Sequence, residues 1–423
     1  MLRDDLALAI DGGSPVRTEP LEFAKGAAML GEAEAEAVAA VVRSRSLFRY
    51  KDDLAAGAVA DFERAACDAL RCTFATAVAN GTSALRCALA ALGVGCGDEV
   101  VVPAFTFIAT VNAVIAADAV PVFAEVDDTL GIDPTSLPDC ITDRTAAIIA
   151  VHLENVACDL DALLDVARQH GVPVIEDAAQ AIGATYHGKH LGTFGALGAF
   201  SLQQEKNITA GEGGLVVTDD EMLYLRATRY SDQGGQFVTS YASARGDELS
   251  QPYAGENLRM GELAGAVAHV QLGRLSGILD ALRRNKARIV DQVGDIDGLV
   301  RRRRPDPEGD GSSSITWFLP DARTAKRFAA AVRAEGVPCA QMYRGRPVYL
   351  SPSVLARRSA SGKGGPWSCA EHPTDRTYYE GLCPRTEALV ARSVIVPVGV
   401  GYDEHDCRDV ASAVRKVADG LVS

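Results

Sequence analysis

Lys206 follows the apolar run Ala199-Phe200-Ser201-Leu202 and precedes Gly211, Gly213 and Gly214, while upstream Ile175-Glu176-Asp177 closes another apolar run with a carboxylate. A lysine able to hold an aldehyde, an acid at a strand end and glycines that admit a phosphate are parts of a pyridoxal 5′-phosphate (PLP) site. Only eight lysines occur in the 423 residues, and Lys206 alone joins a strand-like run to a glycine-rich turn. An ordinary surface lysine is the plain alternative.

Asp177 ends the segment Val172-Pro173-Val174-Ile175-Glu176. A carboxylate there would sit opposite a pyridinium nitrogen and raise its pKa, which makes the ring an electron sink. Aspartate also favours helix N-caps, and a cap would account for it too. The turn Asn80-Gly81-Thr82-Ser83 lies between a strand-like run and a helical pattern. Helix N-terminal N–H groups and hydroxyls bind anions, and Gly81 lacks the Cβ that would block close approach. Thr82 and Ser83 could equally serve as caps.

Positioning these groups requires strands that end on one edge. From about residue 74, short β-branched runs (75–79, 99–102, 120–126, 146–152, 172–176, 199–202 and 215–218) alternate with helical patterns at 83–91, 106–117 and 159–170. That alternation predicts βαβ units on a mostly parallel sheet, with ligands at the carboxyl ends of the strands. Beyond residue 284 the pattern becomes a helix through about Val293, a Pro/Gly/Ser loop, a strand at 315–319 and a helix at 323–335. The expected division is an N-terminal arm (1–25), a large α/β domain (26–284) and a smaller α+β domain (285–423). The Ser/Gly-rich stretch 351–365 reads as a loop, either over the site or on the surface.

A formal charge of −14 argues against a nucleic-acid partner, which needs Lys and Arg to neutralise phosphates. The run Arg301-Arg302-Arg303-Arg304 leads directly into Pro305-Asp306-Pro307-Glu308 and reads as a solvated loop. No apolar run reaches the ~18 residues of a membrane span, and the first residues lack a signal-peptide core, so the cytoplasm is expected. The ten cysteines include no C-x-x-C pair and read as free thiols; the seven histidines show no zinc spacing.

The ordered set Asp11-Gly12-Gly13-Ser14-Pro15-Val16-Arg17, Asn80-Gly81-Thr82-Ser83-Ala84-Leu85, Pro103-Ala104-Phe105-Thr106-Phe107-Ile108-Ala109-Thr110, the Asp177 and Lys206 segments and Gly255-Glu256-Asn257-Leu258-Arg259-Met260 resembles the DegT/DnrJ/EryC1/StrS family of PLP-dependent aminotransferases. The resemblance implies fold type I, the aspartate-aminotransferase-like α/β architecture, and an internal aldimine on Lys206. It implies that Gln180 contacts the ring's substituents, Ser201 adds a phosphate ligand and Phe107 stacks on the ring. Asn257 would reach the phosphate in a neighbouring subunit, which implies a homodimer with shared sites. Without the resemblance, Gln180 would read as solvent-facing, Phe107 as core and Arg259 as a surface ion-pair partner.

The implied reaction moves an amino group from glutamate or glutamine to a ketone on a cyclitol, sugar or related secondary-metabolite intermediate. The stretches 11–17 and 209–214 look more like the cyclitol members. Two segments depart from the family pattern: His152-Leu153-Glu154-Asn155, and Ser231-Asp232-Gln233-Gly234-Gly235-Gln236-Phe237. Asp232, Gln233 and Gln236 would either hydrogen-bond a substrate or stabilise a turn. The alternatives are a different PLP reaction (elimination, decarboxylation or C–C bond formation) and a non-catalytic PLP-binding regulator. The family's sugar dehydratases carry histidine in place of the lysine, and this chain keeps Lys206.

Overall fold

The structure, a computed structural model, describes residues 7–50, 56–235, 253–360, 362–370 and 374–422. Gln236 and Phe237 lie outside the described residues. The large sheet contains β1 (Phe74–Val78), β2 (Glu99–Pro103), β3 (Val120–Ala124), β4 (Thr145–Val151) and β5 (Val174–Asp177). A hairpin follows, β6 (Thr185–Tyr186) and β7 (Lys189–His190), and then β8 (Leu197–Ser201) and β9 (Gly214–Thr218) complete the sheet. Its order is β1-β9-β8-β5-β4-β2-β3, and only β9 runs against the other six. All seven strands fall within two residues of the starts expected from the β-branched runs.

These strands are buried on both faces, which is why they read as unbroken apolar runs rather than alternating ones. Val100 and Val102 of β2 pack with Leu85, Leu89 and Val111 in one core, while Val101 packs with Ile148, Leu160 and Leu163 in the other. The two-residue period of a strand makes that division. Full burial of each such valine is worth roughly 1.5–3 kcal/mol.

A second, antiparallel sheet joins β10 (Val300–Arg301), β11 (Ser314–Phe318) and β12 (Ser393–Pro397). Trp317, Phe328, Val332, Val410 and Val414 share its core with the helices Ala322–Ala334 and Glu404–Leu421. The helix Leu275–Val293 serves both regions. A Cβ on Gly183 would meet its Leu275 and Leu279 side chains, while Val293 O accepts from Arg415 at 2.8 Å. The N-terminal stretch runs the other way: Arg17 N donates to Glu335 O, and Gly26 N reaches Lys206 O at 3.2 Å.

Two sequence expectations fail. The arginine run is not a solvated loop, because Arg302 is buried and Arg303 is paired with Asp127, Asp128 and Asp159. The cysteines are not all free either: Cys96 and Cys369 form a disulfide across 273 residues of sequence, with Cα atoms 6.1 Å apart. That bridge helps fix the segment after 351 at the start of β2 and β3, where Tyr378 OH donates to Pro121 O and Arg376 pairs with Glu99. This is the sheet edge opposite to Asp177.

Candidate active site

Six strands deliver Val78, Pro103, Ala124, Val151, Asp177 and Ser201 to one edge of the sheet. The candidate residues lie on the turns just beyond. Asn80 caps the helix Gly81–Ala91, its Oδ1 accepting from Ser83 N at 2.9 Å. A Cβ on Gly81 would lie 2.8 Å from Ser201 Cβ and 3.2 Å from Ser201 Oγ. Glycine therefore lets the end of β8 approach the helix N-terminus and brings the Ser201 hydroxyl to the N–H groups there. The result is a ready anion cradle.

Asp177 is buried at the end of β5. Its Oδ2 accepts from Thr110 Oγ1 at 2.8 Å, and Thr106 Oγ1 lies 2.9 Å from Thr110 Oγ1. Its Oδ1 accepts from Ala179 N at 3.2 Å. No cation is paired with it among the described residues. Burial therefore pushes the Asp177 carboxyl above its ordinary range, although these hydrogen bonds, Lys206 and His152 all pull the other way.

Lys206 sits in the tight turn after β8, where Lys206 N donates to Gln203 O and Lys206 O accepts from Gly26 N. Its neighbour Asn207 is locked by Nδ2 donating to Asn155 Oδ1 at 2.6 Å and to Ile182 O at 3.0 Å. Burial pushes the Lys206 ammonium below the usual lysine range, and the Lys25 charge pushes the same way against Glu154, Asp177 and Glu205. A partly desolvated amine is a better nucleophile and proton carrier near neutrality. An anion cradle, a buried acid without a fixed cation and a desolvated amine thus share one edge.

The profile of the DegT/DnrJ/EryC1/StrS aminotransferase family matches residues 29–415. The chain belongs to this family. It is 34% identical to an L-glutamine:2-deoxy-scyllo-inosose aminotransferase of Streptomyces kanamyceticus, over 97% of this chain and 96% of that protein. It is also 34% identical to an L-glutamine:scyllo-inosose aminotransferase of Streptomyces griseus, covering 81% of this chain and 82% of that one. The crystal structure of S. venezuelae DesV in complex with a ketimine intermediate superposes with a TM-score of 0.79 at 29% identity, over 95% of this chain and 99% of that one. The architecture is fold type I, and the protein is an aminotransferase.

For an aminotransferase of this family, the remaining residues fall in instructive places. Phe107 is not core: it is 52% exposed at the N-terminus of the helix Ile108–Ala116, with its ring centroid 6.2 Å from that of Tyr343. Gln180 does not face solvent freely, since Oε1 accepts from Glu154 N at 3.0 Å and Nε2 donates to Tyr343 OH at 3.2 Å. Thr82 is half-buried in the first turn beside Ser83. Asn257 is exposed and bridges Asp232 through the backbone. Asp232 is engaged by Arg259, whose guanidinium also lies 5.1 Å from the exposed Phe48 ring, and Gln233 N bonds Glu256 O.

Four contributors escape sequence reasoning. Thr110 lies inside a quoted motif three residues after Phe107, one helical turn along, and that spacing was its only signal. Glu154 carries φ +52° and Tyr343 φ +47°, conformations costly for such side chains, and both face the Gln180 amide. Lys25 comes from the N-terminal stretch through the Gly26 contact. Nothing in the local sequence marks Tyr343 or Lys25.

Proposed function

We propose that this aminotransferase binds PLP at the Lys206 edge and moves an amino group from L-glutamine, or glutamate, to a ketone on a cyclitol. The carrying observation is that a desolvated Lys206 and a buried Asp177 with no cation of its own share one sheet edge, beside a cradle only Gly81 permits. These groups fit the aldehyde, ring nitrogen and phosphate of PLP. When bound, PLP supplies an electron sink for the carbon that gives up its proton.

Lys206 Nζ would hold the cofactor's aldehyde and, when free, would move the proton to and from the donor carbon. Asp177 stays ionised once the ring nitrogen faces it, because a cation there opposes the burial effect. Thr110 and Ala179 N aim its two oxygens. The Gly81 and Thr82 amides with the Thr82 and Ser201 hydroxyls would hold the phosphate, Ser83 N being taken by Asn80 Oδ1. Phe107 would lie against the ring, and Gln180, held by the Glu154 and Tyr343 links, would bind its substituents.

The names of the two Streptomyces relatives support glutamine as donor and a keto-inositol as acceptor. The exposed Phe48, whose ring lies against Arg259, and the neighbouring exposed Leu47 support a homodimer in which Asn257 completes the partner's phosphate site. Among the described residues no helix is long and apolar enough to cross a membrane, which accords with work in the cytoplasm. The test is the half-reaction. L-glutamine should bleach the yellow protein, and scyllo-inosose or its 2-deoxy form should restore the colour. Bleaching by L-glutamine with no recovery on either ketone, but recovery on a nucleotide keto-sugar, would replace the cyclitol by a sugar.

A further inference from the structure

The arginine run is not absorbed by the aminotransferase site. A cavity of about 240 Å³ opens where the helix Leu275–Val293 meets β10 and β11, lined by Lys286, Arg301, Arg302, Arg304, Thr316 and apolar neighbours. Four cations line it, and two carboxylates are paired with them among the described residues. Asp310 takes Lys286 and lies 3.3 Å from Arg304, while Asp295 lies 3.0 Å from Arg301. Arg302 has no carboxylate within ion-pair distance among the described residues; its Nε donates to Thr129 O at 2.7 Å and Nη1 to Leu153 O at 3.0 Å.

A lone buried guanidinium on carbonyls is a common structural staple, and Arg302 by itself would call for nothing more. Two further observations go beyond that. Four cations line one small space against two paired carboxylates, with Glu154 and Asp127 also acting on Arg302 from nearby, so the lining itself is rich in positive charge. Burial pushes Lys286 below the usual lysine range, and the charges of Arg304 and Arg302 push in the same direction. In addition, Thr316 is 6% exposed and its Oγ1 is buried without a hydrogen-bond partner, although the residue lines the cavity. Buried hydroxyls are nearly always satisfied. An acceptor-rich anion would meet the hydroxyl and balance the charge together.

The volume limits the ligand. It lies below the ~300–1,000 Å³ of cofactor and drug-sized sites, so a small anion fits and a nucleotide does not. Donors arrive from a helix, from β10 and the residues after it, and from β11, which suits a tetrahedral oxyanion better than a flat carboxylate. We propose that this cavity is a second anion site of the enzyme, taking a phosphate group either free or on a small ester, distinct from the cradle at Gly81 and Ser201.

The test is calorimetric titration of the PLP-loaded enzyme after borohydride treatment, with inorganic phosphate and with glycerol 3-phosphate as probes. Wild type should bind one probe per chain saturably, and more weakly as salt rises. Arg301→Ala/Arg304→Ala, which keeps the Lys286–Asp310 pair, should weaken binding at least tenfold. Thr316→Val, nearly isosteric and checked for native near-ultraviolet dichroism, should weaken it several-fold. Tighter binding of glycerol 3-phosphate identifies an ester as the occupant; tighter or equal binding of phosphate identifies the free ion. Absence of saturable binding overturns the proposal. So does affinity unchanged in both variants, which is the outcome expected if the probe sits at the cradle instead.

Discussion

Glu99 and Asp177 are two buried carboxylates at opposite ends of the same sheet, and the protein treats them in opposite ways. Glu99 opens β2, with Arg376 donating to both its oxygens at 2.7 and 2.9 Å, Arg144 at 2.9 Å and Thr142 Oγ1 at 2.8 Å. Burial alone would raise its pKa, but these donors outweigh burial and hold it below the ordinary range. Asp177 has only a threonine and one amide, and burial wins. A carboxylate fully paired in place is a fastening. One left short of a cation by the fold is poised to receive a cation from elsewhere, and such groups cluster at functional sites.

The largest break in that comparison comes from removing the group that shares the edge with Asp177. Lys206→Ala should abolish transamination by at least ~10⁴-fold, about 5.5 kcal/mol. Borohydride should fix PLP mass on the Lys206 peptide of wild type and on no peptide of the variant; label on another lysine ends the assignment. Next comes Asp177→Ala, which should retain PLP yet slow the half-reaction ~10³-fold, about 4 kcal/mol. Stopped-flow absorbance measures it, and near-normal rates would show that Asp177 is only a fastening like Glu99.

The opposite edge should respond in stability rather than rate. Glu99→Gln leaves Arg144 and Arg376, both still in contact with water, without their charge partner and should cost roughly 1.5–3 kcal/mol in denaturant unfolding, while the half-reaction of the loaded enzyme changes less than ~2-fold. The sign with pH follows from the depressed folded-state pKa of Glu99. Its contribution is fully present above the unfolded-state pKa and is lost as pH falls through the folded-state value. Wild type should therefore lose its advantage over Glu99→Gln on acidification below about pH 4.5. An equal gap at pH 7 and pH 3 would show that the pair does not act through charge.

What was legible in the chain divides along the same line. The sheet could be read because its strands are β-branched runs whose burial on both faces leaves no polar interruptions. The placement of Lys206, Asp177 and Gly81 on one edge could be read because each sits within a few residues of a strand end, so local spacing carries it. Glu99 with Arg376, Cys96 with Cys369 and Arg302 with Leu153 are joined only by folding, across long stretches of sequence. Arg302 shows how this misleads, since a run of arginines before Pro and Asp has every local mark of a solvated loop. Tyr343 escapes for the same reason, its role arising from a strained turn that the second sheet brings to Gln180.

The smallest effect should come from the cradle itself, and it separates fastening from function at one residue. Asn80 is an N-cap, and losing the bond from Ser83 N to its Oδ1 should cost ~1 kcal/mol of stability in Asn80→Ala. The same bond orients the first turn of Gly81–Ala91, where Gly81 packs closely against Ser201. If that turn holds the cofactor phosphate, PLP affinity should fall several-fold, measured by fluorescence titration, while the half-reaction rate at saturating PLP stays within ~2-fold. Asn80→Asp restores the acceptor and should restore stability, but its negative charge beside the phosphate should leave PLP binding weak. Equal PLP affinity in wild type, Asn80→Ala and Asn80→Asp would mean that the turn caps a helix and nothing more, and the phosphate would have to be sought elsewhere on this edge.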